Sequence, residues 1–94
     1  MKKVILLSLI FLICACDSDQ NKAGRFFIKG NESLNKGDYN EAVRLYSEAI
    51  AKNDKYTEAY NNRGVAYYRD RKFIEAINDY STILLQVNPD FTDA

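Results

Sequence analysis

Residues 37–50 of the chain read GDYNEAVRLYSEAI, and residues 71–84, which lie 34 positions further on, read RKFIEAINDYSTIL. Both stretches carry Glu-Ala followed four residues later by Tyr-Ser, in the same register. Apolar residues recur in each at spacings of three and four, which is typical of an α-helix with one buried face. A repeat of this length indicates helical hairpins that stack on one another, because one such hairpin cannot bury its apolar face alone.

The periodicity predicts an all-α chain in which short turns separate the helices. We predict four helices, over residues 25–36, 39–52, 57–70 and 73–86. Gly37 and Asp38 form the first turn, because glycine accepts the left-handed conformation that ends a helix and aspartate caps the next one. At the matching place in the second repeat stands Arg71, where that conformation costs about 1 kcal/mol. We therefore expect the second turn to be looser or differently shaped.

Two glycines, Gly30 and Gly64, lie inside predicted helices and at equivalent places in the two repeats. Glycine costs about 1 kcal/mol relative to alanine in a helix interior, so both positions need a packing reason. We expect Ala42 and Ala76 to stand opposite them, which would let two helices approach closely.

The first 15 residues have the layout of a secretory signal, with a basic start, an apolar middle and a small residue before the cut. The apolar run over residues 4–15 is too short to cross a bilayer, which takes about 20 residues. The stretch Ile13-Cys14-Ala15-Cys16 resembles the bacterial lipobox. That resemblance implies a diacylglycerol on the sulfur of Cys16 and acylation of its new amino group. Cleavage after Ala15 by an ordinary signal peptidase is the alternative.

The lipobox also implies a location, namely the bacterial cell membrane, with the protein facing the periplasm or the exterior. Asp17 is similar to the signal that keeps enterobacterial lipoproteins in the inner membrane. A solvated residue at the head of a linker is the alternative. Residues 16–24 contain no aromatic or branched side chain after the lipidated cysteine, so we predict a flexible tether there.

Composition argues against catalysis. The chain has no histidine, and its only two cysteines are removed with the signal or consumed by the lipid. We interpret the scattered carboxylates, Asp79 among them, as members of solvated faces and local ion pairs. The sequence thus predicts no enzyme, no cofactor and no metal site.

The charges do not indicate a nucleic-acid partner, because 13 basic residues are balanced by 13 acidic ones and no basic face emerges. Arg69, Arg71 and Lys72 cluster at one turn. We interpret them as favourable charge at a helix C-terminus, with a phosphate or lipid-headgroup contact as the alternative.

Residues 25–56 and 57–90 form two units that resemble tetratricopeptide (TPR) repeats. The residues that carry the resemblance are Phe26, Gly30, Tyr39, Ala42, Tyr46 and Ala49 in the first unit and Tyr60, Gly64, Tyr67, Phe73, Ala76 and Tyr80 in the second. The units depart from the family pattern at Lys29 and Arg63, where leucine is usual. The resemblance implies two antiparallel helix-turn-helix units stacked as a short right-handed solenoid, preceded by a signal-peptide helix.

In this family the first helix of each hairpin lines a groove that binds an extended peptide or a helix of a partner. Carried over by position, the resemblance assigns these groove residues: Phe27, Asn31, Leu34, Asn61, Asn62, Val65, Tyr68 and Arg69. Asn31 and Asn62 stand where peptide-holding repeats keep asparagines that bond a ligand backbone, although an exposed asparagine is also an ordinary surface residue. Phe27 replaces the lysine with which chaperone-type repeats bind a terminal carboxylate.

Residues 91–94, FTDA, resemble residues 56–59, YTEA, and predict the start of a truncated third repeat. The outer face of the fourth helix, with Leu85 and Val87, would then be uncovered. We expect a shortened copy or fragment of a longer repeat protein, or a face covered by a homodimer or a partner.

Three functions are consistent with these predictions. The first is a lipid-anchored adaptor that binds a protein or peptide in the cell envelope. The second is a structural repeat remnant without its own ligand. The third is an accessory part of a longer enzyme or secretion component.

Overall fold

The computed structural model describes residues 19–87, which form four helices joined by short turns. They are α1 (Asp19–Asn35), α2 (Tyr39–Lys52), α3 (Thr57–Arg69) and α4 (Phe73–Val87). The described residues contain no strand, which confirms the predicted all-α class. α2 has the predicted bounds, and α3 and α4 each end within one residue of the prediction. The predicted signal, Cys16, Asp17 and the third-repeat start lie outside the described residues.

The helices pack as two hairpins, α1 against α2 and α3 against α4, and the hairpins stack through α2 and α3. The helix-turn-helix pairs are therefore as predicted, while the right-handed sense of the stacking stays a prediction. Among the described helices, α4 contacts only α3. Within residues 19–87 no helix combines the length and the apolar character that a membrane span needs.

The first helix begins earlier than predicted, at Asp19 and not at residue 25. The prediction of a flexible tether is therefore wrong for residues 19–24. Ala23 has no exposed surface, so this turn of α1 is packed into the fold. Asp19 also places a carboxylate in the first turn, where the helix dipole favours negative charge. The composition of residues 16–24 predicted disorder, because composition alone does not show that one small side chain is buried.

The two hairpin turns have the same geometry. Gly37 has φ +79° and Arg71 has φ +63°. The backbone N–H groups of Gly37 and Asp38 donate hydrogen bonds of 3.0 and 2.9 Å, and those of Arg71 and Lys72 donate equivalent bonds of 3.0 and 2.8 Å. The prediction of a looser second turn is wrong, because Arg71 adopts the left-handed conformation despite a cost of about 1–2 kcal/mol. The turns differ in their N-caps. The Asp38 carboxylate accepts a hydrogen bond from the Glu41 backbone N–H at 3.3 Å. The equivalent residue of the second hairpin is Lys72, whose side chain cannot accept a hydrogen bond.

Gly30 and Gly64 each face a tyrosine ring. A Cβ atom at position 30 would lie 2.6 Å from Cε1 of Tyr46, and one at position 64 would lie 2.8 Å from Cε1 of Tyr80. The nearest atoms to each glycine thus belong to a tyrosine ring and not to the predicted alanine, because the ring of the second helix fills the space that the missing side chain leaves on the first. Tyr46 has no exposed surface, so its ring has little room to move away.

Candidate functional site

Three of the predicted groove residues are asparagines, and the structure joins them in one row of side-chain hydrogen bonds. The Asn31 oxygen on α1 accepts from the Asn62 amide on α3 at 2.8 Å. The Asn61 amide donates to the Asn62 oxygen at 3.2 Å. The Tyr46 hydroxyl on α2 also donates to the Asn31 oxygen, at 2.6 Å. This asparagine row links the first helices of the two hairpins side by side.

The asparagine row can offer hydrogen-bond donors to a ligand. A carboxamide oxygen has two lone pairs, and those of Asn31 are both used by Tyr46 and Asn62. Each amide nitrogen carries two N–H groups, and the bonds of the row use one from Asn62 and one from Asn61. Asn61 is exposed, and the other two asparagines are half-buried. Donors in this position suit the carbonyl groups of an extended peptide backbone.

Two exposed residues of α3, Tyr68 and Arg69, continue the face of α3 that begins at Asn61 and Asn62. The Tyr68 side chain is 59% exposed, and its ring meets that of Phe73 edge-on, with 5.4 Å between centroids. Burial raises the pKa of the Tyr46 hydroxyl above its ordinary value, while the neighbouring Asn62 amide and the charge of Arg69 act in the opposite direction. Arg69 follows Asn62 by seven residues, so the two lie on the same face of α3.

The three apolar groove residues lie closer to the core than the polar ones. The Phe27 ring packs against the rings of Tyr46 and Tyr56, with centroids 5.8 and 5.0 Å apart. Leu34 packs against the same core cluster, and Val65 is half-buried. These side chains support the face from beneath. A ligand contact by any of the eight residues stays a prediction.

Two depressions in the described surface lie away from the asparagine row. A cavity of about 550 Å³ is lined by Asp54, Lys55, Thr57, Leu85, Gln86 and Val87. One of about 290 Å³ is lined by Lys22, Arg25, Phe26 and Lys29. No group of histidine, cysteine, aspartate or glutamate side chains within residues 19–87 could hold a metal ion. Neither depression includes a residue of the asparagine row.

The structure also contains an ion pair that the sequence did not predict. Arg63 on α3 donates two hydrogen bonds to the Asp79 carboxylate on α4, from Nε at 2.9 Å and from Nη2 at 2.6 Å. Its Nη1 donates to Ser47 on α2 at 3.0 Å. The guanidinium also lies over the rings of Tyr60 and Tyr67, 5.5 and 6.0 Å from their centroids. One side chain therefore ties three helices together.

Asp79 is only 3% exposed, so its assignment to a solvated face is wrong. Its hydrogen bonds to Arg63 raise the pKa of the guanidinium, although burial opposes this. A signal for the pair was present in the repeat register. Arg63 and Asp79 occupy the places of Lys29 and Leu45 in the first repeat, so both members of the ion pair differ from the equivalent residues of that repeat.

The fold defines a class of protein, the stacked helical hairpins. Residues 30–70 match a family model described as TPR repeat. The chain is 34% identical over 64 residues to the Hsp70-Hsp90 organizing protein of Triticum aestivum, which is 68% of this chain and 11% of that protein. It is 30% identical over 66 residues to mitochondrial import receptor subunit TOM34 of Homo sapiens, which is 70% of this chain and 21% of that protein.

A further relative is serine/threonine-protein phosphatase T of Aspergillus oryzae, 31% identical over 77 residues, or 82% of this chain and 16% of that protein. These matches support the tetratricopeptide repeat family, and the chain carries TPR units, which are protein–protein interaction modules. The chain spans between 11% and 21% of the length of these three relatives.

Proposed function

We propose that the chain is a lipid-anchored adaptor of a bacterial cell envelope that binds an extended segment of a protein partner on the face of α1 and α3. The observation that carries the proposal is the hydrogen bond between Asn31 and Asn62, which sets amide donors from both hairpins in one row. At the C-terminal end of α3, Arg69 adds a cation to the face and Tyr68 adds an exposed ring. The segment that fits best is one with free backbone carbonyl groups and an acidic side chain.

Two of the relatives are named as an organizing protein for Hsp70 and Hsp90 and as an import receptor subunit. Their names support a protein partner, but the mode of binding proposed for this chain differs from capture of a terminal carboxylate. Phe27 stands where that capture needs a lysine, and its ring is packed against Tyr46 and Tyr56. We therefore propose that the chain binds an internal segment of its partner.

The test of binding is chemical crosslinking in the native envelope followed by mass spectrometry, with the wild type and two variants. Asn61→Ala combined with Arg69→Glu should lose a reproducibly crosslinked partner, because it removes a donor and reverses the charge of the face. Both residues are exposed, so the fold should be retained. Asn78→Ala, which changes an exposed asparagine on α4, is the matched control and should keep the partner. An equal capture by all three proteins would contradict the proposed face.

The lipid anchor is tested separately, by metabolic labelling with a clickable fatty acid. Wild-type chain should incorporate the label and fractionate with membranes, while Cys16→Ser should do neither and Cys14→Ser should do both. An unmodified Cys16 sulfur would remove the anchor from the proposal and leave the binding face untouched. Replacement of Asp17 by Ser, followed by separation of the two membranes, tests the inner-membrane preference.

A second candidate function is an accessory domain of a longer enzyme. The match to a phosphatase that is much longer than this chain favours it. Reading the coding sequence downstream of Ala94 would distinguish the two, since an accessory domain should continue in frame into a catalytic domain.

A further inference from the structure

The outward face of α4 carries an apolar stripe that the described part of the chain leaves uncovered. Ile74 is 73% exposed and Ile77 is 61% exposed. The exposed large apolar residues of this helix are Phe73, Ile74, Ile77, Leu84, Leu85 and Val87. The charged residues of α4, Glu75 and Asp79, lie on its other sides at helical spacing. We call the set Ile74, Ile77, Ser81, Leu84 and Leu85 the α4 stripe.

The spacing within the α4 stripe indicates a helical occupant. Ile74, Ile77, Ser81 and Leu84 follow one another at intervals of three, four and three residues, which is the seam of a coiled coil or helix bundle. Ser81 is the smallest of them and lies at the centre. A small central residue lets a second helix approach closely, while the larger residues on either side interlock with it.

A helix that packed on α4 as α3 packs on α2 would cover this stripe only in part. α3 packs on α2, the second helix of the first repeat. On α2, Val43 is packed against the core cluster and Ser47 accepts a hydrogen bond from Arg63. The neighbouring positions on α2 are Asn40 and Ala51, and both stay exposed. Their equivalents on α4 are Ile74 and Leu85, so the apolar surface extends beyond the width that such a helix covers.

The first helix of a second copy is also a poor match for the stripe. α3 meets α2 through Ala66 and Arg63. The corresponding residues of α1 are Glu32 and Lys29, and both are charged and exposed. Burying these charges against isoleucine and leucine would be costly, which disfavours head-to-tail stacking of copies.

We infer that the α4 stripe is a homodimer interface in which α4 of one copy packs antiparallel on α4 of a second copy, about a twofold axis midway between Ile77 and Ser81. Such a contact is self-complementary, because Ile74 of each copy then meets Leu84 of its partner and Ile77 meets Ser81. The four apolar residues of the stripe, between 41% and 73% exposed, offer on the order of a few hundred Å² of apolar surface per copy. A standard interface takes about 800 Å² per partner, so the dimer should be reversible and not obligate.

The test uses the full chain in cells that co-express two copies with different carboxyl-terminal tags. A photo-crosslinking amino acid in place of Ile74 should give a product of twice the chain mass that carries both tags. The same amino acid in place of the neighbouring Glu75, which points to another side of the helix, should give little of it. Equal yields at the two positions, no product at position 74, or a product at position 74 with a different protein alone would each overturn the inference.

A second measurement follows co-purification of the two tagged copies. Ile77→Lys should reduce it by about tenfold or more, because a charge then faces an apolar seam. Glu75→Lys is the matched control and should leave co-purification unchanged. Since Ile77 is largely exposed, the variant should remain helical by circular dichroism. Co-purification that survives Ile77→Lys, or that both variants lose, would contradict the proposed dimer. Neither measurement depends on the lipid anchor or on the asparagine row.

Discussion

Arg63 and Asp79 form a two-bonded ion pair that closes the second hairpin, whereas the first hairpin has Lys29 and Leu45 at the equivalent places. The side chains of the pair are 20% and 5% exposed. Both side chains are largely removed from water. Removing one partner would therefore leave the charge of the other buried without a counterion. The second hairpin therefore carries a buried ion pair at positions where the first hairpin has a lysine and a leucine.

Breaking this pair should be costly, and restoring the first-repeat residues should be much less so. We expect Asp79→Ala to lower the free energy of unfolding by about 3 kcal/mol, because Arg63 then keeps a buried charge without a counterion. The double variant Arg63→Lys with Asp79→Leu should lose less, since it leaves no buried carboxylate and reproduces the first-repeat residues Lys29 and Leu45. Urea unfolding followed by circular dichroism measures both. If the double variant is as unstable as Asp79→Ala, the pair is not the reason for the loss.

Glycine substitutions should separate packing from helix propensity. Gly30→Ala should destabilise the fold by about 1–2 kcal/mol, because the new Cβ would lie 2.6 Å from a Tyr46 ring atom and overpacking outweighs the gain in propensity. Gly24→Ala is the matched control in the same helix, with nothing within 4 Å of the new Cβ. It should stabilise the fold by about 1 kcal/mol. Thermal unfolding of the two variants checks the signs. If Gly24→Ala brings no gain, α1 begins later than Asp19.

The strained turn should respond to glycine. Arg71→Gly should raise the free energy of unfolding by about 0.5–1 kcal/mol, because glycine adopts φ +63° without strain but loses more entropy on folding. That gain corresponds to a rise in melting temperature of about 2–8 °C for a domain of this size. Gly37→Ala, at the equivalent position with φ +79°, should lower the melting temperature. A fall with Arg71→Gly would show that the arginine side chain contributes more than its backbone costs.

The buried tyrosine predicts a loss of stability at alkaline pH. Burial raises the pKa of Tyr46 in the folded state, so its contribution is complete below the pKa of an unfolded tyrosine, about 10, and is lost as pH rises through the folded value. Tyr46→Phe should flatten this alkaline decline and cost about 1 kcal/mol at neutral pH, since the bond to Asn31 is lost. Tyr68→Phe, at an exposed tyrosine, should leave the decline unchanged. Urea unfolding between pH 8 and pH 11 would measure it.

Local chemistry made parts of the fold predictable. Gly37 and Asp38 mark a helix end and a helix start by their own conformational and hydrogen-bonding preferences, so the bounds of α2 follow from sequence. The asparagine row was predictable only as a set of positions, since repeat register places Asn31 and Asn62 on first helices. The hydrogen bond between them could not be predicted, because residues 31 positions apart meet only once the hairpins stack.

The chain by itself determined its class, the helix period, the hairpin turns and the stacking of like units, because these depend on residues within one turn or one repeat of each other. Tertiary structure alone decided that Ala23 extends α1, that Asp79 is buried with Arg63, and that tyrosine rings fill the glycine gaps. These features depend on which side chains meet across helices. The sequence alone does not show whether a side chain such as that of Asp79 faces water or a buried arginine.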